Sequence, residues 1–214
     1  MPDFARFALR LMGKLRPRPT IGLSEQSLVL PPPQKQGGLP LMEALAQRHS
    51  TREFRPEPVP LSLLSSLLWA GWGVNRPDGH RTAPSAIDCQ EIDLYVALAS
   101  GAYLYDAASN ALHLAAASDV RRVTGYQDFV DEAPLDLVLV VDHARMQLVP
   151  VAERERYALV AAGAIAQNVY LFAASAGLAT VIRGWIDKAA IASALSLSHD
   201  QQVLLSQTVG FPKE

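Results

Sequence analysis

Apolar residues recur at helical spacing in two stretches near the front of the chain. Leu41, Met42 and Leu45 predict a short helix over residues 41–47. Leu63, Leu64, Leu67 and Leu68 predict a second over 62–72. Pro56, Pro58 and Pro60 forbid helix between them, and Pro77-Asp78-Gly79 reads as a turn. The period then changes to two. Ile92, Leu94, Val96 and Leu98 predict a half-buried strand over 91–98, and residues 103–105 and 111–115 predict a hairpin closed by 106–110. Residues 118–123 read as a short helix capped by Ser118. The unbroken apolar run 135–141 predicts a strand covered on both faces.

No charged residue falls between Ala158 and Ile182. That length suits a membrane-crossing helix. Its composition does not: it is rich in Ala and Gly, Gln167 and Asn168 sit side by side within it, and Gly177 marks a helix stop before the strand-like Thr180-Val181-Ile182. A helix apolar all round is otherwise a buried one. The stretch is therefore expected to be the central core helix, with small residues that allow packing against its copy in a dimer. A helix over 187–195 and a strand over 202–209 complete the pattern. Strands and helices alternate without a regular βαβ beat. The expected class is α+β, with helices flanking a mostly antiparallel sheet.

Residues 1–38 are expected to form an arm or linker, ending in Pro31-Pro32-Pro33 and Gly37-Gly38. Within 1–19, Phe4, Phe7, Leu11 and Leu15 alternate with Arg6, Arg10, Lys14, Arg16 and Arg18. This is a basic amphipathic pattern without the apolar centre of a secretory signal, and membrane contact is not expected of it. The compact domain is expected to span 39–214.

Composition narrows the chemistry. Half of the 214 residues are hydrophobic, enough for a real core, and the net charge of −2 offers no field for nucleic acid. The single cysteine, Cys89, excludes a disulfide within the chain and a multi-cysteine metal site. The five histidines are scattered, so no metal site is expected, and His113 and His143 receive no role. A reducing, cytoplasmic setting is expected. Phosphate loops, dinucleotide fingerprints, zinc-protease helices and nucleophile elbows are all missing from the sequence.

Three segments remain as candidate chemistry. Arg48-His49-Ser50-Thr51-Arg52 gathers two guanidiniums, an imidazole and two hydroxyls, a dense donor set for an anion such as phosphate. Residues 81–90 supply hydroxyls, a carboxylate and an amide from a loop that precedes a strand. In the run from Leu178 to Trp185, Gly184 would let a ligand approach the backbone and face its N–H.

Together these segments resemble the flavin-dependent nitroreductase family, over about residues 40–213. The family's opening Arg-x-Ser run followed by Phe stands here as residues 48–54. Its Pro-Ser-x-x-Asn-x-Gln loop stands as Pro84-Ser85-Ala86-Ile87-Asp88-Cys89-Gln90, and its Gly-Leu-x-Thr segment as residues 177–180. The Arg-Thr-Ala-Pro-Ser-Ala spelling resembles the branch that includes azoline-peptide dehydrogenases. The resemblance implies an intertwined homodimer with FMN at its interface. It implies that Arg48 and Ser50 bind the phosphate, with His49 beside them. Arg52 would lie near the N1–C2 end of the ring, where a cation favours the anionic reduced flavin. Pro84, Ser85, Asp88 and Gln90 would approach the pyrimidine edge or ribityl chain. Gly184, next to Arg183, would present its N–H near N5, and Lys213 would reach toward the phosphate. NADH or NADPH would be the donor and a nitroaromatic, quinone or enone the acceptor. No side chain need act as acid or base, so no catalytic residue is expected.

Two departures from the family stand out. Asp88 replaces the usual Asn and cannot donate to a carbonyl unless protonated. The chain ends at Glu214, where many relatives continue with a basic tail. An azoline-type dehydrogenase or a flavin-binding module without turnover are the alternative readings. The first passes electrons to oxygen, and the second holds a flavin that no nicotinamide reduces.

Overall fold

The computed structural model describes residues 26–213. The basic amphipathic pattern of 1–19 lies outside the described residues. Eight strands form one antiparallel sheet: β1 (Ser27–Val29), β2 (Phe54–Arg55), β3 (Ile92–Leu98), β4 (Gly101–Asp106), β5 (Ala111–Ala116), β6 (Leu135–Asp142), β7 (Ala179–Arg183) and β8 (Gln201–Pro212). The order across the sheet is β1-β5-β4-β3-β6-β8-β2, and β7 also pairs with β8. The helices are α1 (Leu41–Gln47), α2 (Leu61–Trp72), α3 (Phe129–Glu132), α4 (Val151–Ala176) and α5 (Lys188–Ala194).

β6 shows why the sheet is two-sided. Its odd positions Leu135, Leu137, Leu139 and Val141 face the main core, shared with Leu64, Leu67 and Leu68 of α2 and Ala158, Ala162, Ile165 and Val169 of α4. Its even positions Val138 and Val140 face a second cluster with Ile186, Ile191 and Leu195. Alternate residues of a strand point to opposite faces, so an unbroken apolar run is what two covered faces require. Helix α4 is long and apolar enough to cross a membrane. Here it packs against α2 and the sheet, and Gly177 ends it in the left-handed conformation (φ 68°) that an L side chain disfavours.

Several expectations need correction. Residues 27–39 are part of the folded domain. β1 adds to the sheet edge opposite β5, and Leu30 is buried in the main core. Asn110 Nδ2 and Ser65 Oγ both donate to the Pro31 carbonyl (2.9 and 2.6 Å), and Leu39 N–H donates to Ser175 Oγ (2.7 Å). Prolines at a sheet edge are tolerated because the outward N–H is not needed for pairing. The helix expected over 118–123 is a 3₁₀ turn at Arg121–Thr124, and its first N–H, that of Arg121, donates to Asp119 Oδ1, not to Ser118. The short elements β2 and α3 lack the length to show a period and escape sequence reading.

Candidate active site

Tyr170 of α4 ties the first and third candidate segments together. Its hydroxyl lies 2.8 Å from Ser50 Oγ and accepts a hydrogen bond from Ile182 N–H at 2.9 Å. The Arg48 guanidinium stands over the Tyr170 ring, 5.2 Å from its centroid, and Thr51 N–H donates to Thr180 O at 3.1 Å. Arg48 follows the last turn of α1, closing it through its N–H to Ala44 O. The polar run therefore leaves the helix beside the free edge of β7. A cavity of about 390 Å³ is bounded here by His49, Thr51, Tyr170, Gly177 and Thr180. His49 Nδ1 lies 2.7 Å from Gln47 O, and Arg52 is exposed. Pairing of β2 with β8 brings Lys213 in as well: its N–H donates to Glu53 O at 3.2 Å. Its ammonium pairs with exposed Glu132 at 2.6 Å. A pair this open to water is worth little and can exchange for a stronger anion.

Gly184 follows β7 with its backbone exposed. A Cβ built there would meet nothing nearer than Leu205 Cδ2 at 3.8 Å, and its φ is not in the left-handed region. The fold itself does not require glycine at this position.

The second segment begins beside the same helix, where Thr82 O accepts from Asn168 Nδ2 at 3.4 Å, and then runs away from Tyr170. Gln90 accepts from Arg81 Nε at 2.9 Å and donates to Gly79 O at 3.1 Å, while its own N–H donates to Ser85 Oγ at 3.1 Å. Arg145 Nη1 donates to Gln90 O at 2.9 Å. Asp88 lies 3.4 Å from His80 Nε2 and accepts from Gln90 Nε2 at 3.3 Å. Ile87, Asp88 and Gln90 all have positive φ (46°, 55° and 49°), which for Ile and Gln is a strained backbone. Pro84 is exposed and Ser85 half-buried. Arg154, near the start of α4, is close enough to act on the Cys89 thiol. The 16 positions from Arg154 to Tyr170 span about 24 Å of helix. One chain thus places its first and third segments together, and the loop of the second runs toward the other end of α4.

Two expected ligand contacts turn inward. The Gln90 side chain is buried and spent on Arg81 and Gly79. The Arg183 guanidinium is also buried: Nη1 donates to Thr124 O (2.7 Å), and Nη2 reaches Asp136 Oδ1 (2.5 Å), Ser206 Oγ (2.8 Å) and Thr124 Oγ1 (3.1 Å). Burial pushes the Asp136 carboxyl up and Arg183 down, and their pairing opposes both. Sequence cannot tell an inward Arg from an outward one.

Two further groups set the local electrostatics. Burial pushes the Cys89 thiol up to about 11, with Glu91 and Asp88 adding to the rise, so the thiolate is scarce at neutral pH. Glu91 is fully buried, and neither carboxyl oxygen has a hydrogen-bond partner among the described residues. Burial raises its pKa, against the opposing pull of its own N–H, Arg145 and the Ala86 N–H. Tyr170 and Glu91 lie outside the three candidate segments, and Arg81, the first residue of the second, carries no assigned role there. The one available signal is Tyr170, a polar-tipped ring beside the buried stripe of an otherwise apolar helix.

The chain is similar to several known proteins. The model of the nitroreductase family matches residues 45–211. A Methanocaldococcus jannaschii protein assigned to the nitroreductases is 31% identical over 154 residues, 67% of this chain and 78% of that one. The crystal structure of a Ralstonia eutropha protein assigned to the same group superposes with a TM-score of 0.84 at 51% identity, covering 94% of this chain and 96% of that one. The NADPH:FMN oxidoreductase of Vibrio harveyi shares the fold at 22% identity (TM-score 0.62, 81% of this chain and 69% of that one). The chain belongs to the nitroreductase family, a family of oxidoreductases.

Proposed function

We propose that this protein is an FMN-dependent oxidoreductase that passes electrons from NADH or NADPH to a nitroaromatic, quinone or enone acceptor. The observation that carries the reading is the junction at Tyr170, where the cationic, hydroxyl-rich run of residues 48–52 meets the end of β7. Arg48, Ser50 and Lys213 would hold the phosphate, Arg being suited by its fork of donors. Arg52 would face the negative charge of a reduced ring. Gly184 fits a flat group lying against the backbone, since no neighbour in the chain fills the place of its Cβ. When bound, FMN would supply the two-electron redox chemistry that links a nicotinamide donor to the acceptor. The chain's own residues bind and orient, and none of them needs to move a proton.

The site is proposed to need a second copy. α4 exposes Val160, Gly163 and Gln167 in one row, and a Cβ on Gly163 would meet nothing within 4 Å. A mid-helix glycine costs about 1 kcal/mol relative to alanine. Close approach of a second α4 would offset that cost and bring the partner's loop 84–90 to the Tyr170 end.

The test is the flavin itself. Purified protein should be yellow, release FMN on denaturation, and bleach when NADPH is added without oxygen. A flavin that NADH and NADPH both leave oxidised would refute the reductase direction.

A further inference from the structure

We propose that Tyr126 and Trp185 form an aromatic platform beside Gly184 that binds the planar, electron-poor acceptor, with Arg183 as the positioning residue beneath it. The inference rests on the flavin reading above and adds the side chains that select the acceptor.

Trp185 is the most exposed large hydrophobic residue among those described (78%), and Tyr126 is 57% exposed. Exposed aromatic rings are normally scattered singly. These two come from loops 59 positions apart, yet their centroids lie 5.6 Å apart at a tilt of 51°. The pair sits one residue beyond Gly184, where the fold leaves room against the backbone.

What brings the rings together is buried. Arg183 reaches back from β7 to Thr124 through its carbonyl (2.7 Å) and hydroxyl (3.1 Å). The adjoining Gly125 lies so close to the guanidinium that a Cβ there would overlap Arg183 Nη1. Asp136, at 2.5 Å on the sheet, fixes the guanidinium from the other side. A short rigid connection therefore runs from the sheet through Arg183 and Thr124 to Tyr126, and through the chain itself from Arg183 to Trp185. Neither exposed ring gains much burial from this arrangement, so the ordering serves something laid against the rings.

The faces of indole and phenol carry negative charge density. They attract an electron-poor ring, such as a nitroaromatic or quinone, more strongly than the electron-rich dihydronicotinamide. The platform is thus assigned to the acceptor and not the donor.

The test uses flavin-loaded protein, with menadione as acceptor, NADPH as donor and 4-nitrobenzoate as a quencher. Trp185→Ala and Tyr126→Ala should each raise the menadione KM about tenfold, with kcat and the rate of flavin bleaching by NADPH changed less than twofold. Tyr126→Phe, which keeps the ring, should recover most of the KM lost in Tyr126→Ala. Gly125→Ala, which displaces Tyr126 from Arg183, should also raise the menadione KM. Saturable quenching of indole emission by 4-nitrobenzoate should disappear in Trp185→Phe. An unchanged menadione KM in both alanine variants overturns the proposal. So does a rise confined to the NADPH KM, or an indole that 4-nitrobenzoate cannot reach because a second copy covers it. Protein that takes up no FMN but still shows saturable quenching at Trp185 overturns the flavin reading alone.

Discussion

Replacing Tyr170 with phenylalanine removes one oxygen atom and keeps the ring that packs α4 against its neighbours. That oxygen accepts from Ile182 N–H at 2.9 Å and lies 2.8 Å from Ser50 Oγ. Ile182 uses this bond on the side of β7 away from β8, so its N–H is left without a partner. Ile182 is half-buried, and leaving its N–H unpaired between α4 and β7 costs about 1–3 kcal/mol, whereas exposed Ser50 can turn to water at little cost. A loss of about 2 kcal/mol follows, which for a chain of this size lowers Tm by about 4–8 °C. The melt is to be run on flavin-free protein at one protein concentration, because ligand or partner binding would shift Tm by mass action. FMN affinity should fall about three- to tenfold, since Ser50 loses its orientation while Arg48 keeps its place over the ring. A Tm lowered by less than about 1 °C would show that the hydroxyl does not join α4 to β7, and the Tyr170 junction would have to be abandoned.

Three other outcomes are expected. Arg183→Met should destabilise by about 3–5 kcal/mol in urea titration, because Asp136 is left charged and buried, and Arg183→Met/Asp136→Leu should recover most of that loss. Gly184→Ala should leave the flavin-free Tm within about 1 °C, since the new Cβ meets no neighbour closer than 3.8 Å, yet it should weaken FMN binding at least about tenfold by blocking close approach. Glu91→Gln should change the pH dependence of stability. The folded carboxyl holds its proton to higher pH than the unfolded one, so the wild type loses stability as pH rises above the usual carboxylate range. The variant does not titrate there. Its Tm should exceed that of the wild type at pH 8 and converge with it near pH 4; a constant difference would show that Glu91 keeps an ordinary pKa.

The large elements were legible because each carries enough residues for its period to show. β3 and β6 can be read almost to their ends and α1 to its last residue, whereas α4 begins at Val151, two turns before the uncharged stretch that marks it. β1 was hidden because three residues beside a proline run look like linker, and only pairing with β5 turns them into strand. The site divides in the same way. The residue types of 48–52 are those that suit an anion, and Arg52 is exposed. Arg183 and Gln90 have equally suitable types, but the interior claims both: one by the buried charge of Asp136, the other by Arg81 and the Gly79 carbonyl in a loop strained at Ile87 and Gln90. Tyr170 escaped notice because its role depends on two segments that meet it only after folding. Direction of a side chain, and contacts between distant segments, are tertiary facts that no local pattern carries.

The most direct measurement is an FMN titration followed by flavin absorbance and fluorescence, comparing wild type with Arg48→Ala and using riboflavin as control. Losing a charge-assisted contact to phosphate costs about 1.5–3 kcal/mol. The FMN Kd should therefore rise about 10- to 150-fold in Arg48→Ala, while riboflavin, which lacks the phosphate, binds both proteins alike. Equal FMN affinity in the two proteins, or no FMN binding by either, would contradict the assignment of residues 48–52 as the phosphate anchor.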